Sequence, residues 1–237
     1  MNNTDNKTPT RVTKASMQQL MSELRQLAPN RPLTYGESLA VARLQASKLR
    51  SWANAREPDI NLVWLLNQKA VPVELTASHR LHEQSGVTTN AVGGVLRMFI
   101  NEHEPAERQR FSLLHEFKHV LDFDTADQLH RNLGCGNREV QQNQIELICN
   151  EFAGQVLMPK TLVVKAWVRT QNLSIMANLF NVSAEAMKTR LEKLGLIGDK
   201  KPRPRAYFRL GGWQLAPLPL YLHDGDTNSG WNTEVAR

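Results

Sequence analysis

Residues 110–123, RFSLLHEFKHVLDF, can bury one side only by winding as a helix. Leu113, Leu114, Phe117, Val120 and Leu121 recur at helical spacing, which a strand of period two would scatter over both faces. His115 and His119, four apart, lie together on a separate face and can point two imidazoles at one ion. Glu116 stands about 100° round the helix from His115, beside such an ion rather than among its ligands. The segment therefore has a core face and a second face free for chemistry. The pattern of residues 115–119 would also suit an ordinary exposed face carrying two satisfied histidines, so the rest of the chain must decide.

A tetrahedral catalytic zinc takes three protein ligands and keeps one position open. The helix QIELICNEFAGQVL, residues 144–157, offers the third. Glu146, Asn150, Ala153 and Leu157 form one stripe at i, i+4, i+7 and i+11, and the small Ala153 permits close helix packing. Glu146 is the preferred ligand. Glu139, in the preceding loop or helix start, competes for the role. Asn150, one turn beyond Glu146, can hydrogen-bond the outer nitrogen of a ligand histidine and fix its tautomer. Glu151 falls on another face and is expected in solvent. Cys149 reads as a small core residue.

Around these two helices the chain has the proportions of a globular protein, with 41% hydrophobic and 22% charged residues in 237. Two cysteines, Cys135 and Cys149, cannot make a disulfide framework. No window approaches about 18 uninterrupted apolar residues, and MNNTDNKTPT lacks the apolar stretch of a secretory signal. The expectation is a cytoplasmic protein with no membrane segment. The net charge of +6 divides into +5 over residues 1–57, −1 over 58–197 and +2 over 198–237. Basic flanks allow an acidic partner or nucleic acid without requiring one. Residues 1–15 read as disordered. Helices are expected over SMQQLMSELRQLA and over TYGESLAVARLQASKLRSWANA, the latter capped by Thr34, with a short one over INLVWLLNQKA. VPVEL (71–75) reads as a strand, and SGVTTNAVGGVLRMFINEH as two strands turned at Gly93-Gly94, the second edge-like or half-buried.

The paired segments RQRFSLLHEFKHVLDF and IELICNEFAGQVLMP, together with VPVEL, SGVTT and VLRMFINEHEPAERQRF, resemble the ImmA/IrrE family of zinc peptidases. The similarity spans about Thr34 to Ile197. It implies an α+β fold: a gluzincin-like metallopeptidase core, with a small three-stranded sheet packed on active-site helices. N-terminal helices would precede this core and a helix-turn-helix-like subdomain would follow it. The expected divisions are a polar N-terminal arm and helix (1–33), the peptidase core (34–160), the helical subdomain (161–198), and a basic proline-rich linker and tail (199–237). Carried over by position, the resemblance makes His115, His119 and Glu146 ligands of one Zn2+, with Glu116 the catalytic base and acid. Manganese or iron could fill the same site. The implied activity is endopeptidase cleavage of a specific protein, a helix-turn-helix repressor of stress or mobile-element genes. The alternative is a non-catalytic regulatory or toxin–antitoxin component that binds a repressor or DNA.

Other features are less specific. NLSIMANLFNVSAEAMKTRLEKLGLI reads as helix, turn, helix, with Ser183 capping the second and Lys188, Arg190 and Lys193 on or near its exposed side. That arrangement leaves direct DNA binding open. The tail alternates Lys200, Lys201, Arg203 and Arg205 with Pro202 and Pro204, as a flexible linker does. An oxyanion donor could be His103, His130, Tyr35 or an arginine. His79 and His82 read as loop residues.

Overall fold

The computed structural model describes residues 14–68, 70–77, 85–90, 96–198, 209–210 and 213–214. The chain divides into two compact units, Met1–Ile197 and Gly198–Arg237. The arm before residue 14, the Gly93-Gly94 turn, His79, His82 and most of the tail lie outside the described residues.

Apolar spacing at its start builds helix α1 (Lys14–Arg25), whose Met17, Leu20 and Leu24 are fully buried. Helix α2 (Tyr35–Trp52) begins at a capping box. The Thr34 hydroxyl accepts from the Glu37 amide at 3.3 Å, and the Thr34 amide donates to the Glu37 carboxylate at 2.8 Å. The third helix, α3 (Val63–Leu66), is a single turn. Three strands follow: β1 (Val73–Thr76), β2 (Gly86–Asn90) and β3 (Leu96–Asn101). They form a mixed sheet in the order β1-β3-β2, with β1 parallel and β2 antiparallel to β3. The half-buried β3 is thus central. Met98 and Ile100 turn into the core while Arg97 is exposed. Strand β2 is an edge.

Helix α4 (Ala106–Asp122) packs on β2 and β3, and α5 (Ala126–Leu129) follows a short 3-10 turn. Asn137 caps α6 (Arg138–Leu157), accepting from the amides of Glu139 and Val140. This 20-residue helix lies against both α2 and α4. Phe117 and Phe152, at a ring separation of 6.4 Å, mark the α4–α6 seam. The chain continues through α7 (Lys160–Thr170), α8 (Leu173–Phe180) and α9 (Ala184–Lys193). Asn181, in the left-handed region at φ 52°, turns the chain between α8 and α9, and Ser183 caps α9. In the second unit, β4 (Arg209–Leu210) pairs antiparallel with β5 (Trp213–Gln214).

Two expectations about charged residues fail. Arg190 is buried, donating from Nε to the Met158 carbonyl at 2.9 Å and from Nη2 to Gln155. It therefore does not belong to an exposed basic face, and α9 presents Glu185, Lys188, Glu192 and Lys193 to solvent in balanced sign. Glu151 is also buried, accepting from Arg43 Nε at 2.8 Å, with Arg190 Nη1 at 3.7 Å. Neither partner is near it in sequence, which is why helical spacing alone assigned it to solvent.

Candidate metal centre

The burial of Leu113, Leu114, Phe117, Val120 and Leu121 turns the opposite side of α4 outward, toward a cavity of about 810 Å³. His115, Glu116 and His119 line it from α4, Gln142, Glu146 and Asn150 from α6, and residues 86–88 from β2 with Ser85 just before it. His115 Nε2 stands 3.0 Å from Glu146 Oε2 and 3.1 Å from His119 Nε2, while His119 Nε2 is 3.7 Å from Glu146 Oε1. Tetrahedral ligands at zinc-like bond lengths are separated by about 3.3 Å, so this triangle fits one small divalent ion.

The surrounding contacts orient these donors. Asn150 Oδ1 can only accept, so His115 Nδ1, 2.9 Å away, carries the proton and Nε2 turns toward the triangle. Gln142 Nε2 donates to Glu146 Oε1 at 2.7 Å. Burial works to lower the His115 pKa, but the Glu146 hydrogen bond and the charges of Glu116 and Glu146 outweigh it, and the net shift is upward. Hydrogen bonds from His115 and His119 hold the Glu146 carboxyl well below the usual carboxylate range. An ion held by these residues would displace the proton between His115 and Glu146.

Cys149 is a second donor near the pair. Its Sγ and one nitrogen from each histidine all lie within 4.8 Å of one another. We favour Glu146 as the third ligand. Its oxygens stand 3.0 and 3.7 Å from the two imidazoles, it lines the cavity, and its carboxyl is held charged, whereas burial pushes the Cys149 thiol well above its ordinary pKa. Glu139 sits exposed in the first turn of α6, and the cavity does not reach it. His103 is likewise exposed and apart from the cavity, and Tyr35 lines a different cleft. Of the oxyanion candidates, His130 and one arginine, Arg108, line the cavity, His130 with Nε2 3.4 Å from Asp122 Oδ2.

Strand β2 supplies two contacts that helical spacing did not anticipate. Thr88 Oγ1 donates to Glu116 Oε2 at 2.7 Å, and a Cβ at Gly86 would stand 3.0 Å from Glu116 Cγ. Glu116 is buried between them, one oxygen held and the other against the glycine. A lone glycine within a strand pattern signals close approach by another group. SGVTT carried that signal, though not the identity of the visitor.

Asn150→Ala should weaken metal binding about 10–100-fold with the fold intact. A competitive chelator titration measures it, and unchanged affinity would remove Asn150 from the orienting role.

A family model described as the IrrE N-terminal-like domain, Peptidase_M78, matches residues 69–192. No curated protein matches the chain. Among solved structures, a Mycobacterium tuberculosis transcriptional regulator aligns with a TM-score of 0.52 at 14% identity, over 78% of this chain and 53% of that one. The chain thus spans about half the length of that regulator, and the likeness is one of fold.

Proposed function

Since this chain belongs to the Peptidase_M78, IrrE N-terminal-like family, we propose that it is a zinc-dependent endopeptidase whose substrate is a specific protein. The observation carrying this reading is the donor triangle of His115, His119 and Glu146, with the buried carboxylate of Glu116 lining the same cavity. A bound divalent ion supplies Lewis-acid polarisation and a water acidic enough to ionise near neutral pH. Glu116 is the proton carrier: it accepts a proton from the attacking water at Oε1 and returns it to the leaving amine. Thr88 holds Oε2, so the carboxylate keeps its aim through both transfers. Asn150 keeps His115 in the tautomer that leaves Nε2 free. Among the described residues β2 pairs with β3 alone, so an extended substrate segment would add a strand along residues 86–88.

The substrate we favour is a helix-turn-helix transcriptional repressor, as the ImmA/IrrE resemblance implies. The fold neighbour's description as a transcriptional regulator agrees with a regulatory setting. Direct DNA binding through α8 and α9 draws no support from the balanced exposed charge of α9.

Glu146→Ala tests the donor set without any substrate. The variant should no longer purify with stoichiometric zinc, and elemental analysis of wild type and variant decides it. Retained stoichiometric metal would move the third ligand elsewhere, Cys149 being the nearest alternative.

A further inference from the structure

Helix α6 has a second working side. About 100° round the helix from Glu146 and Asn150, its Leu147, Glu151 and Gln155 line a separate cleft of about 520 Å³, shared with α2 and with the segment from Lys160 to Leu194. Four cations border this cleft (Arg43, Lys160, Arg190 and Lys193) against the single carboxylate of Glu151, leaving a formal +3. Glu151 is already shared by Arg43 and Arg190. Lys160 and Lys193 are exposed and make no ion pair among the described residues. Arg190, buried and fixed by the Met158 carbonyl, is a preset cation in the cleft wall. Its desolvation is partly offset by Glu151 and would be offset further by an arriving anion.

The walls are not uniformly polar. Tyr35, Leu39 and Leu194 contribute half-buried apolar surface, and Leu147 leaves 45% of its surface exposed. The volume lies in the range of small-molecule sites, about 300–1,000 Å³. A cationic rim beside an apolar wall suits an amphipathic anion, and arginine with lysine favours phosphate oxygens.

We propose that this cleft binds a phosphate monoester of nucleotide size, its phosphate held by Lys160, Lys193 and the arginines and its ring against Tyr35 and the leucines. The site stands independently of the peptidase reading, because none of its residues faces the metal-site cavity.

Isothermal titration of the full chain with AMP, inorganic phosphate and adenosine, at matched ionic strength, tests the assignment. AMP should bind, phosphate more weakly, and adenosine not at all. The double variant Lys160→Ala/Lys193→Ala should weaken AMP about tenfold or more, with an unchanged melting temperature because both side chains are exposed. Failure of AMP to bind, or equal AMP affinity in the double variant, would overturn the site. Phosphate binding as tightly as AMP would overturn the amphipathic ligand class.

Discussion

Glu116→Gln should retain the metal, the fold and any substrate affinity, yet lose cleavage by about 10²–10⁴-fold, the usual weight of a positioned proton carrier. The amide is nearly isosteric with the carboxylate, so the Thr88 hydroxyl can still donate to it and Gly86 still clears it. What disappears is a carboxylate oxygen that can accept the proton and return it. The comparison is made by co-expressing wild type or variant with a helix-turn-helix regulator encoded beside it and recording that regulator's intact mass. Zinc content is measured on the same preparations. Fragments confined to wild type, at equal zinc, place the proton transfer on Glu116. Equal fragmentation in both would remove that mechanism. An intact regulator that co-purifies with both would favour sequestration.

A comparable effect, on stability this time, is expected one turn beyond His119. Lys118 is 2% exposed, and its ammonium rests on the buried carboxylate of Asp122 at 2.5 and 2.7 Å. Asp122→Asn would leave that ammonium without a counter-ion, a loss of about 3–5 kcal/mol. The double variant Lys118→Met/Asp122→Leu should recover most of it, since burying neither charge costs less than burying one alone. Urea midpoints at constant slope measure both. The pH dependence supplies a further check. Burial raises the Asp122 pKa, but the Lys118 charge and the His130 and Lys118 hydrogen bonds outweigh it, and the net shift is downward. A depressed carboxyl contributes stability above its unfolded value, about 3.9, and loses it as pH falls through the lower folded value. The gap between wild type and Asp122→Asn should therefore hold at neutral pH and close only in acid. A gap that vanished by pH 6 would show that the pair is not what Asp122 contributes.

The parts legible in the sequence were those whose partners lie within a few residues. His115 and His119 meet by helical spacing, Glu146 and Asn150 share a stripe, and the Thr34 and Ser183 caps act on amides three residues ahead. The misreadings involve contacts made across the chain. Glu151 looked solvated because a lone helical carboxylate usually is, and its arginines come from α2 and α9. Arg190 looked exposed until the carbonyl at the end of α6 claimed it. Thr88 and Gly86 meet Glu116 only because the sheet lies under α4, a relation no local period encodes. The central place of β3 likewise depends on β1 returning parallel to it.

The N-terminal helix has a dynamic consequence. Arg25, at the end of α1, donates to the carbonyls of Val120 and Leu121 and pairs with Asp124. It thereby satisfies the carbonyls that a helix end leaves open. The last turn of α4, running on from His119 to Asp122, is thus tied to a helix far away in sequence. Fraying of α1 should therefore loosen the turn that follows His119, an effect that hydrogen exchange of the amides in both segments would register.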